Sequence, residues 1–110
     1  MKASRDCIDA CIACVISCEN CITDCINDGN KSCVILCRDC ADICALCARW
    51  EARDSGYKRD LCALCVHICK ACEEECAKHA AHHDSCRECA EACRKCAEVC
   101  AVLAAGSSVE

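Results

Sequence analysis

A chain of 110 residues with 21 cysteines, no proline, no phenylalanine and one tryptophan cannot build an ordinary aromatic core, and its length suits one domain of four helices. A net charge of -5 without a basic patch argues against nucleic acid or an anionic membrane as partner. No run of about 18 apolar residues exists to span a bilayer.

The first predicted element is a helix over about 4–27, capped by Ser4 with Asp6 in its first turn. Cys7, Cys11, Cys14, Cys18, Cys21 and Cys25 recur along it at steps of four and three, so a helix places all six thiols on one stripe. Ile8, Val15 and Ile22 flank that stripe, while Ile16 falls on the face expected to meet water. Asp28-Gly29-Asn30 reads as a turn. A second helix over about 31–53, capped by Asn30, carries Cys33, Cys37, Cys40, Cys44 and Cys47, with Leu36, Ile43 and Trp50 beside them and Ile35 outward. Asp54-Ser55-Gly56 makes the next turn, and Gly29, Gly56 and Gly106 all suit turn or C-cap positions.

A third helix over about 57–80 repeats the stripe with Cys62, Cys65, Cys69, Cys72 and Cys76, and puts His67 on its solvated face. The connection that follows lacks glycine. Ser85-Cys86-Arg87-Glu88 matches a capping box, which predicts a fourth helix over about 85–104 bearing Cys86, Cys89, Cys93, Cys96 and Cys100. Ala90, Ala92 and Ala97 flank that stripe and allow close helix approach. Short turns make neighbours antiparallel, so the expected fold is an all-α, up-down-up-down four-helix bundle forming a single domain over 1–110, with a core of sulfur.

Three readings of that core compete. A disulfide scaffold is opposed by the odd cysteine count, by an apparently reducing compartment, and by the strain of cross-linking residues three or four apart on one straight helix. A purely structural core is tolerable, because free cysteine packs as a small hydrophobe, yet packing alone does not favour a reactive side chain over Leu, Ile or Val at every position. Metal binding remains. Thiolates select soft ions: Cu(I), Zn(II) or iron in clusters. One thiolate per Cu(I) gives a neutral aggregate, whereas Zn(II) held by four thiolates carries two negative charges that are costly to bury. Straight helices also offer sulfur pairs rather than wrapping loops. Multiple Cu(I) ions are therefore expected, with Zn(II) or general soft-metal buffering as the alternative and thiol redox chemistry as a distant third.

Repeated CxxxC and CxxC along four helices, as in Cys7-Ile8-Asp9-Ala10-Cys11 and Cys89-Ala90-Glu91-Ala92-Cys93, resemble the bacterial copper storage proteins from Cys7 to Cys100. The resemblance implies a bundle filled with Cu(I) through cysteine pairs within helices, supplemented by pairs between them. It also implies a homotetramer, the absence of enzymatic activity and a possible copper chaperone as partner. On this chain the implied intrahelical pairs are Cys7 with Cys11, Cys14 with Cys18, Cys21 with Cys25, Cys33 with Cys37, Cys40 with Cys44, Cys65 with Cys69, Cys72 with Cys76, Cys89 with Cys93 and Cys96 with Cys100. Cys47 and Cys62 flank one turn and are placed to bridge two helices. Exported members tend to carry methionines at the bundle mouth; here only Met1 exists. The segment Met1-Lys2-Ala3-Ser4-Arg5 has no apolar leader, which together leads to a cytoplasmic expectation.

Continuing the third stripe past Cys76 gives His79 and His83, beside Cys86 at the same end. Neutral imidazole is an acceptable copper ligand, so metal is expected to enter there. His82 falls off the stripe. The opposite end, with Trp50, Leu61 and Leu103, is expected to be closed.

Overall fold

The step of three and four that lines up the thiols also fixes where the helices run. In a computed structural model, which describes residues 4–106, α1 spans Arg5–Asn27, α2 Lys31–Ala52, α3 Lys58–Ala77 and α4 Asp84–Ala104. The outer residues of the expected 1–110 domain, Met1 included, lie outside the described residues. The helices form an antiparallel bundle measuring 44 × 18 × 18 Å, each packed against its two neighbours, with α1/α2 and α3/α4 the closer pairs.

Two N-caps are as expected. Ser4 accepts from the backbone N–H of Cys7 at 3.2 Å, and Asn30 from that of Cys33 at 3.4 Å. Two expectations about helix ends are corrected. Helix α3 stops at Ala77 rather than near residue 80, because His79 N–H turns back to the Cys76 carbonyl at 3.0 Å and tightens the chain into successive turns. Helix α4 begins at Asp84 with His83 as its cap residue; Ser85 is already inside the first turn, and its buried Oγ makes no hydrogen bond, so the capping box does not form. In the second turn the left-handed backbone belongs to Asp54 (φ 54°) and not to Gly56. Asp is one of the few side chains that tolerates this region. Gly29 and Gly106 do take positive φ, as a C-terminal cap requires.

Every cysteine points inward. All 21 are buried and free, and small residues beside them, Ala10, Ala41, Ala48 and Ala97, let the backbones approach. Ile8, Leu61 and Leu103 complete the core, with Trp50 half-buried against it. His67 is exposed, as its place on the outer face of α3 requires. Ile16 and Ile35 remain 57 % and 61 % exposed, so the apolar arc of the α1/α2 pair extends past what one bundle can cover.

Candidate metal centre

The four stripes meet as tiers. Cys7, Cys47, Cys62 and Cys100, one from each helix, have sulfurs within 4.8 Å of one another. One helical turn further, Cys11 lies 3.6 Å from Cys96, and Cys44 lies 3.8 Å from both Cys65 and Cys96. The third tier joins Cys14, Cys40, Cys69 and Cys93 through contacts of 3.7 Å. In the fourth, Cys18 meets Cys89 and Cys37 meets Cys72, both at 3.7 Å. In the fifth, Cys21 lies 3.6 Å from Cys33 and 3.5 Å from Cys86, while Cys33 lies 3.8 Å from Cys76. Cys25 stands beyond these five tiers, 3.7 Å from Cys21 and 3.9 Å from Cys86.

Adjacent tiers touch along the helices as well. Seven of the nine intrahelical pairs have sulfurs 3.7 to 4.0 Å apart: Cys21/Cys25, Cys33/Cys37, Cys40/Cys44, Cys65/Cys69, Cys72/Cys76, Cys89/Cys93 and Cys96/Cys100. Cys14 and Cys18 share a four-sulfur group, and Cys7 and Cys11 both contact Cys100. Cys47 and Cys62 bridge α2 and α3 at 3.6 Å. The shortest of these separations is far beyond the roughly 2.05 Å of a disulfide. The result is a continuous column of thiols about 27 Å long, set by the helical rise between residues 7 and 25.

At the Cys25 end the next positions carry Asp28, Asn30, His79 and His83. His79 Nε2 lies 2.8 Å from the Asn30 side-chain amide and 3.2 Å from Glu75 Oε2; His83 Nε2 lies 2.7 Å from Asp28 Oδ2. Both histidines are about one-third exposed. His82 is exposed and off this cluster.

The copper storage protein family model matches residues 1–105. The chain belongs to the copper storage protein family. The Cu(I)-bound copper storage protein BsCsp3 is 44 % identical, superposes with a TM-score of 0.87, and is matched over 94 % of this chain and 99 % of that one. A cytosolic copper storage protein from Streptomyces lividans, loaded with five coppers, is 38 % identical with a TM-score of 0.86, over 92 % of this chain and 91 % of its own. The uncharacterized cysteine-rich protein YhjQ of Bacillus subtilis is 45 % identical over 80 % of this chain and 83 % of its length.

The electrostatics of the thiols in this family member follow from burial and from contacts of sulfur with sulfur. Removal from water pushes the Cys25, Cys33 and Cys86 thiols above their ordinary value. Deeper in, protons are shared along sulfur contacts. S–H donation from Cys100 draws Cys7 down, while bonds to Cys11 and Cys47 push Cys100 up. The neighbour of a thiolate therefore holds its own proton more tightly, which limits how many thiols ionise together until a metal replaces the protons. At the histidine end, the bond to His79 holds the Glu75 carboxyl below the usual carboxylate range.

Sequence reasoning overlooked the carboxylate and amide partners of the histidines, and more at the other end. There Glu51 is fully buried, and its Oε2 accepts from the Ser4 backbone N–H at 2.8 Å and faces Lys58 Nζ at 3.5 Å. The signal was available. Continuing the cysteine rhythm by one step gives Glu51 after Cys47, Lys58 before Cys62, Ser4 before Cys7 and Leu103 after Cys100.

Proposed function

We propose that this chain stores Cu(I) inside its bundle, many ions per chain, each held by cysteine thiolates and admitted at the end bearing His79, His83 and Cys86. The unbroken sulfur column carries the reading. Each Cu(I) ion that takes the place of a thiol proton breaks one S–H bond, forms an S–Cu bond and releases one proton, so a buried neutral column is exchanged for a buried neutral aggregate. All 21 cysteines are ligand candidates, and bridging thiolates bring capacity near one ion per sulfur, on the order of 20 per chain.

The mouth assignment rests on donor type and placement. His79 and His83 lie next to Cys25 and Cys86, partly exposed, each ring nitrogen already oriented by a carboxylate or amide. Oriented imidazoles hold a soft ion long enough to pass it to a thiol. A non-enzymatic store, cytosolic like the Streptomyces relative, fits this architecture, as does a homotetramer joined through Ile16 and Ile35, with a copper chaperone as donor.

Zn(II) is a second reading that one observation favours. A tetrahedral site with Zn–S near 2.3 Å needs sulfurs about 3.8 Å apart, and four of the six sulfur pairs of the third tier lie at 3.7 to 3.8 Å. Five such sites would bury about ten negative charges in a narrow bundle, each costing several kcal/mol, and that weighs for copper. Anaerobic Cu(I) titration separates the two: a break well above ten equivalents with unchanged helical circular dichroism is expected. Saturation near five equivalents would favour the tetrahedral reading.

A further inference from the structure

The end of the column away from the histidines carries a built polar tier beside the apolar residues Trp50, Leu61 and Leu103. Glu51, Lys58, Ser4 and Leu103 occupy the four positions that continue the cysteine rhythm beyond Cys7, Cys47, Cys62 and Cys100. Two of them, Ser4 and Lys58, converge on the carboxylate of a third, Glu51. Glu51 lies at the end of α2, accepts the Ser4 N–H that opens α1, and pairs with Lys58 in the first turn of α3. Lys58 is anchored in turn by Asp54 in the α2–α3 connection. Leu103, 6 % exposed, fills the fourth position from α4. Just beyond it Gly106 leaves room for the Arg59 side chain, which lies where a Cβ would stand.

We infer that Glu51, gripping Ser4 and Lys58, is a plug that seals this end of the thiol column, so that small reagents and metal ions reach it from the histidine end alone. A carboxylate is suited to this task for a physical reason. Helix starts fray, because their first N–H groups have no partner within the helix, and fraying of α1 by one turn would uncover Cys7. Apolar packing at Leu103 resists that fraying without direction. The Glu51 bond to the Ser4 N–H ties down the group whose release starts it, and Lys58 compensates the buried charge that makes the bond strong. The charged pair therefore specifies which helix ends meet, a role attested for buried polar groups elsewhere.

The seal acts on the apo column and depends on the copper reading only for its purpose, so its test needs no metal. Reduced apo protein is exposed anaerobically to limiting N-ethylmaleimide, and the labelled cysteines are mapped by peptide mass spectrometry over time. In the unaltered chain Cys25 and Cys86 are expected to label first and Cys7, Cys47, Cys62 and Cys100 last. In Glu51→Ala the far tier is expected to label about tenfold faster while Cys25 keeps its rate, the mark of local opening at one end. Glu51→Gln keeps an oxygen for the Ser4 N–H but removes the charge facing Lys58, and is expected to show a smaller acceleration confined to the same tier. Far-tier labelling as fast as Cys25 in the unaltered chain would overturn the inference. So would acceleration of every tier together in both variants, or of none. A failed copper titration would leave these labelling results unaffected.

Discussion

The two ends of the bundle continue the same rhythm with opposite chemistry. At one, Asp28, Asn30, His79 and His83 supply partly exposed, metal-compatible donors paired with one another through single hydrogen bonds. At the other, Ser4, Glu51, Lys58 and Leu103 supply a buried carboxylate bound by two helix starts. Between them the tiers are chemically alike. The residues immediately beyond a uniform column thus tell its two ends apart.

That contrast is broken first by pH. Burial raises the Cys25, Cys33 and Cys86 thiols above their ordinary value of about 9, so folding stability from keeping them neutral is present below that pH and is lost as pH rises past it. These three lie at the histidine end, and each tenfold gain in a thiol's proton affinity on folding corresponds to about 1.4 kcal/mol. Apo protein is expected to lose stability above about pH 9, with amide exchange rising first around the α1–α2 turn and the start of α4 and the Glu51 end opening later. Simultaneous opening of both ends would erase the distinction.

Next in size is Glu51→Ala, which removes the buried carboxylate facing Lys58 and frees the Ser4 N–H. About 3 kcal/mol of stability is expected to be lost in urea unfolding of the apo protein, against less than about 1 kcal/mol for His79→Ala, whose ring is partly exposed. Replacing His79 and His83 together by Ala acts on rate instead: Cu(I) uptake followed by stopped-flow absorbance is expected to slow about tenfold with capacity nearly unchanged. Unchanged kinetics would remove their gating role. The smallest effects sharpen the comparison most. Ser4→Ala and Asn30→Ala each remove an N-cap and are expected to cost about 1 kcal/mol in thermal or urea unfolding. Only Asn30→Ala, which also leaves His79 with Glu75 as its one remaining side-chain partner, is expected to alter uptake.

The column was legible because one residue type marks one helical face without interruption from Cys7 to Cys100, and turn chemistry then leaves few topologies. The helix ends were less so. Ser85-Cys86-Arg87-Glu88 has the letters of a capping box, yet His83 takes the cap position because the turns through residues 78–82 bring it there, close to Asp28 across the bundle. Gly56 has the residue type for the second turn, but the Ser55 N–H reaching back to the Trp50 carbonyl sets the left-handed residue at Asp54. Glu51 and Lys58 were hidden by habit of composition: charged residues usually mark the solvent face, and only their register shows them belonging to the core. Continuing a pattern beyond the residues that define it would have found both.

A shaft with a single opening empties in the reverse of the order in which it was filled. With the proposed mouth and seal, copper nearest Cys25 and Cys86 would be the first to trade places with an outside thiol, whereas copper beside Cys7 and Cys100 would wait until the way above it clears. Chemically equivalent ligands would so yield two kinetic classes of cargo, a fast-turning surface layer and a deep reserve, with no difference in intrinsic affinity between them.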